Sequence, residues 1–162
     1  MNILVALDGV LSSDNKEPIR TGVILYYALN SGNRVGILTT QKKDAADHWL
    51  KGHGIIGYDD LVGDEVYIEG EDLKKRQFLL QRSKAPVELY VDSDPAMCAW
   101  VFEEQNVPFI LLGVPGYLPV ESRPDAPSKV RKWSDIEAAI DKANHYRAEQ
   151  ALKPKDLGLW SD

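Results

Sequence analysis

The sequence predicts an α/β fold: a parallel sheet with helices on both of its faces, in three layers. Three observations carry this. Short apolar runs rich in branched residues alternate with longer amphipathic stretches, the pattern of strands joined by crossover helices. Those runs lack the apolar–polar alternation of a half-exposed strand, as strands buried on both faces must. Three of them end in polar residues, at Asp8, at Thr39 and Thr40, and at Asp92 and Asp94. In open sheets of this kind ligands bind beyond the carboxyl ends of the strands, so these residues should share one functional edge.

The elements follow in order. Residues 2–7, "NILVAL", read as a buried strand. Residues 17–31 have Ile19, Val23, Tyr26 and Tyr27 near helical spacing, with Pro18 in a first turn. A second strand is expected over 33–40, and a helix over 43–54 stopped by Gly52 and Gly54. The run 64–70, "DEVYIEG", reads as a short strand, and 71–83 as an amphipathic helix marked by Leu73, Phe78 and Leu79. Strand 87–94, helix 95–106 and strand 107–113 come next. Four prolines between Val114 and Pro127 indicate a long loop. The helix over 134–152 opens with Ser134 and Glu137, a capping box in which each side chain satisfies an orphan backbone N–H. The expected division is a domain over 1–148 and a tail over 149–162.

A chain of 162 residues suits one domain of this size. The apolar fraction of 44% and charged fraction of 27% argue against global disorder. A net charge of −6 disfavours general nucleic-acid binding. Cys98 is the one cysteine, which rules out an internal disulfide and suits a reducing compartment. No apolar run is long enough to span a membrane. The start of the chain lacks a secretory pattern. The expected location is therefore the cytoplasm or the inside of a larger particle. The three histidines show no ligand spacing, and Trp49, Trp100 and Trp133 read as core residues.

Four stretches in chain order resemble the motifs of the haloacid dehalogenase superfamily of phosphohydrolases. "ALDGVL" matches the first motif, D-x-D-G-[TV]-[LV], from Leu7 to Leu11, but places Ala6 at the first Asp. "GILTT" supplies Thr39, with Thr40 beside it. Lys75, with Lys74 nearly as good, stands where the family carries a lysine. "LYVDSD" supplies Asp92, puts Ser93 where a second acid often sits, and adds Asp94. The resemblance covers residues 1 to about 145 and implies a Rossmann-like sheet of that family. The intervals from Gly9 to Thr39 and from Thr39 to Lys75, where the family inserts caps, are short, which implies a capless member.

The resemblance also implies roles. The first Asp would attack phosphorus and ligate metal, and the second would act as acid and base. Thr39, Thr40, Lys74 and Lys75 would hold phosphoryl oxygens. Asp92 and Asp94 would hold Mg²⁺, weakly, because Ala6 brings no oxygen. Ala6 also removes the nucleophile, so an inactive binding, structural or assembly component is expected. One alternative is a Mg²⁺-dependent phosphohydrolase or nucleotidase in which Asp8 and Asp92 work with metal-activated water. Another is a regulatory module that binds a phosphate ligand. Plainer readings stand beside these. Asp8-Gly9 is a turn signal, the run from Asp92 to Pro95 is a helix start, and Lys74 to Arg76 is a solvated helix face. Leu157, Leu159 and Trp160 in the tail are expected to dock on a protein partner or a second copy.

Overall fold

The computed structural model describes residues 1–113 and 133–152. The chain divides into two compact units, residues 1–118 and 119–162. In the first, β1 (Asn2–Ala6), β2 (Arg34–Leu38), β3 (Asp60–Val62), β4 (Leu89–Asp92) and β5 (Phe109–Leu111) form one sheet in the order β3-β2-β1-β4-β5. All four pairings are parallel. Crossovers run through α1 (Arg20–Asn30), α2 (Lys43–Gly52), α3 (Leu73–Lys84) and α4 (Pro95–Gln105). This is a three-layer, Rossmann-like α/β fold.

The layers follow from the period of two along each strand. Ile3, Val5, Val35, Ile37, Leu61 and Val91 share a core with Tyr26 of α1 and with Ala46 and Leu50 of α2. Their neighbours Leu4, Leu38, Val62 and Tyr90 belong to a second core with Phe78 of α3 and with Met97, Cys98 and Val101 of α4. Both cores contain residues without solvent exposure, among them Ile3, Val35 and Leu50 in one and Phe78, Tyr90 and Val101 in the other.

Two elements differ from expectation. The run 64–70 is not a strand. Its first residues form a single 3₁₀ turn, Asp64–Val66, and Tyr67 and Ile68 are exposed. The third strand is the shorter Asp60–Val62, whose Leu61 and Val62 reach the two cores. The first helix starts at Arg20, because Pro18 bridges to Ser12 and the Ile19 N–H is held by the Leu11 carbonyl. The segment before α1 therefore closes the loop after β1.

The second unit contains α5, Trp133–Leu152. Residues 140–149 are exposed along it, Ile140 and Tyr146 included. The expected boundary at 148 falls inside this helix, which is unbroken to Leu152. Leu157, Leu159 and Trp160, and the loop expected after Val114, lie outside the described residues. Among the described residues no helix is long and apolar enough to cross a membrane.

Candidate functional site

β1 ends at Ala6, and the chain turns at once. The Leu7 carbonyl accepts from the N–H groups of Leu11 and Ser12, while the Gly9 N–H donates to Ser12. Gly9 sits at φ 85°, a conformation that glycine adopts without strain. The turn aims Asp8 at the end of β2. There Oδ2 accepts from the Thr39 hydroxyl at 3.0 Å, the Thr40 N–H at 3.0 Å and the Thr40 hydroxyl at 3.2 Å. Oδ1 accepts from the Gln41 side-chain amide at 2.7 Å. Thr39 and Thr40 were expected to hold a phosphoryl group. In the structure both of their hydroxyls clasp Asp8 instead.

Behind this clasp lies Gln77 of α3, which is 1% exposed. Its amide donates to the carbonyls of Thr39 at 2.7 Å and Gly63 at 2.9 Å. One side chain thus ties the ends of β2 and β3 to the opposite layer. Burying an amide costs about 1–3 kcal/mol unless it is hydrogen-bonded, and here the bonds are made. Sequence reading missed Gln77. The available signal was its place three residues after Lys74, on the same helix face.

Lys74 reaches the end of β4. Its ammonium lies 2.7 Å from Asp92 Oδ2 and 3.2 Å from Asp94 Oδ2. Lys75, the expected residue, points elsewhere: its ammonium stands 5.5 Å from the centre of the Trp100 ring. The cause is helical geometry, since adjacent residues on an α-helix are turned by about 100°. The Asp72 side chain caps α3 at the Lys75 N–H and sets that phase.

Asp92 has no solvent exposure. Its Oδ2 accepts from Lys74 and from the Tyr90 hydroxyl at 2.6 Å, and its Oδ1 from the N–H groups of Ser93 and Asp94. Burial raises the Asp92 carboxyl above the usual range, against the pull of Lys74 and Tyr90. On Lys74 burial acts downward, but Asp92 and Asp94 outweigh it and the ammonium stays raised. The pair therefore keeps the lysine charged. Burial, then Asp92, pushes the Cys98 thiol up to about 12.

The expected magnesium ligands do not fit that role. Ala6 offers no oxygen, and both Asp92 oxygens are taken by donors. Asp94 spends Oδ1 on capping α4 and Oδ2 on Lys74. Magnesium demands near-octahedral oxygen ligation, and here it would have to displace an ammonium. Among the described residues no group of three His, Cys, Asp or Glu side chains is placed to hold a metal ion.

Ala6, Asp8, Leu38, Thr39, Thr40, Lys74 and Gln77 surround a cavity of about 30 Å³, the order of one or two waters. The strand edge therefore gathers Ala6, Asp8, Thr39, Thr40 and Lys74 round one small space, with Asp92 and Asp94 joined to it through Lys74. Lys75 is left out.

The chain thus belongs to the broad class of parallel-sheet α/β proteins with polar strand ends. Among solved structures it is similar to a chain in the structure of the Pnkp1/Rnl/Hen1 RNA repair complex, at TM-score 0.57 and 20% identity over 68% of this chain. A second structure of the Pnkp1/Rnl/Hen1 complex gives the same TM-score, identity and coverage. This chain spans 42% and 45% of those two chains, less than half of each. At this identity the likeness is one of fold. No family model matches the chain, and no curated protein matches it.

Proposed function

We propose that this chain is a capless, haloacid-dehalogenase-like protein without catalytic activity, serving as a binding or assembly component. One observation carries the reading: Ala6 stands at the end of the central strand, and the remaining acids are already engaged. Asp8 is held by Thr39, Thr40 and Gln41, and Asp92 by Lys74, Tyr90 and two backbone N–H groups. Each carboxylate already accepts four hydrogen bonds from the protein. That weighs against a hydrolase working through Asp8 and Asp92. The structural neighbours belong to a multi-protein complex, which agrees with a role beside protein partners.

Phosphomonoester hydrolysis tests the reading, with and without Mg²⁺, on the purified chain and on its Ala6→Asp variant. The wild type is expected at background in both conditions. Turnover in the variant alone would trace the deficit to that one side chain. Wild-type turnover that Asp92→Asn abolishes, in a variant shown by circular dichroism to be folded, would overturn the reading.

A further inference from the structure

Away from the strand edge, a groove of about 390 Å³ runs along the outer face of α2, within the size range of small-molecule sites. Ala45, His48, Trp49 and Gly52 of α2 line it, with Lys16 from the β1–α1 loop and Gln41 from the β2–α2 loop. His53, just after α2, lines it too. Among the described residues the wall holds a lysine and two imidazoles and no carboxylate, in a chain whose net charge is −6.

The groove is built as well as charged. The Trp49 indole N–H donates to the Lys16 carbonyl at 2.8 Å, which fixes the ring. The His53 ring lies 4.3 Å from it, centroid to centroid, and its Nδ1 is 2.8 Å from the Trp49 carbonyl. Lys16 holds a left-handed conformation, φ 62°, and its N–H donates to Ser13. Among the described residues its ammonium makes no ion pair. Gly52 supplies the room. A Cβ added there would meet no atom within 4 Å, so packing does not demand glycine. Glycine late in a helix costs stability relative to alanine, and at this position it leaves open space on the groove wall that Trp49 also lines.

We propose that this groove binds a nucleoside monophosphate, with the base stacked in the space between Trp49, Ala45 and Gly52 and the phosphate held by Lys16 and His48. Aromatic faces bind bases irrespective of sequence, and an ammonium is an effective point charge for phosphate. The groove shares Gln41 with the strand edge, but Trp49, Lys16 and His48 take no part in that edge, so the site stands whether or not the edge is inert.

Calorimetric titration of adenosine 5′-monophosphate into the full chain tests this. Saturable binding with a Kd below about a millimolar is expected. Lys16→Asn removes the charge while keeping a residue that tolerates φ > 0. Gly52→Leu fills the space from an open position. Each should weaken binding about tenfold or more with the melting temperature of the unliganded protein nearly unchanged. Adenosine and inorganic phosphate, titrated separately, should each bind more weakly than the nucleotide. The proposal is overturned by an absence of saturable binding to the folded protein. Binding that both substitutions leave intact overturns it too, as does inorganic phosphate binding as tightly as the nucleotide.

Discussion

Lys74 is the side chain on which the strand edge turns. It neutralises a fully buried carboxylate and a second one at the head of α4. Removing one partner of a buried pair leaves the other charge uncompensated, at a cost of about 3–5 kcal/mol. Lys74→Met should lower the unfolding free energy in urea by that order, and adding Asp92→Asn should restore part of it. Lys75→Met should cost about 1 kcal/mol or less, because it loses only a half-buried contact with an aromatic face. Equal effects at the two positions would contradict the geometry. The sequence placed a lysine here but could not choose between neighbours, since α3 carries few apolar residues to phase it. Asp8, Thr39 and Asp92 were legible as strand-end residues. That Thr39 and Thr40 turn inward onto Asp8 was not, because one hydroxyl suits a ligand and a clasp equally well.

At the level of elements, long apolar runs were easy to read and short ones were not. β1, β2 and β4 hold consecutive buried residues, which no helix period explains. β3 is three residues long and begins at Asp60, so the neighbouring "VYI" was the more strand-like text. Contact between elements left a sharper mark at Gly22. A Cβ there would lie 1.5 Å from the Val10 carbonyl oxygen. α1 therefore sits directly on the turn that presents Asp8, and only glycine allows it. Gly22→Ala is expected to destabilise by about 3 kcal/mol or more, since backbone must move to admit the methyl group. Gly52→Ala, with open space around the new Cβ, should be neutral or stabilising by up to about 1 kcal/mol. Thermal unfolding of the two variants side by side checks the contrast.

For the whole molecule, several buried groups bind their protons more tightly when folded. Burial, with Tyr27 and Asp59 adding to it, raises the Tyr26 phenol to about 12. Burial and Asp92 raise Tyr90, burial and Asp47 raise Tyr58, and Lys74 is raised as described above. Groups raised on folding contribute stability that is complete below their unfolded pKa, near 10 for tyrosine and lysine, and lost as pH climbs through the folded value. The urea midpoint should accordingly fall steadily above pH 10. Tyr26→Phe should flatten that fall, with a difference of the order of 2 kcal/mol by pH 12. A midpoint unchanged between pH 9 and 11 would contradict the burial of these groups.

The order β3-β2-β1-β4-β5 puts the first strand of the chain in the middle of the sheet. β1 meets β2 after one crossover, but its other neighbour is β4, Leu89–Asp92, far along the chain. During synthesis from the N-terminus, one edge of β1 waits unpaired until most of the first unit has been made. Such non-local pairing slows folding and leaves a nascent chain exposed to wrong partners. The link from Lys74 on α3 to Asp92 at the tip of β4 waits for the same strand, and it is the one that brings charge into the interior. A chain stalled before Asp92 would carry an open edge on β1 together with a lysine that has lost its buried partner.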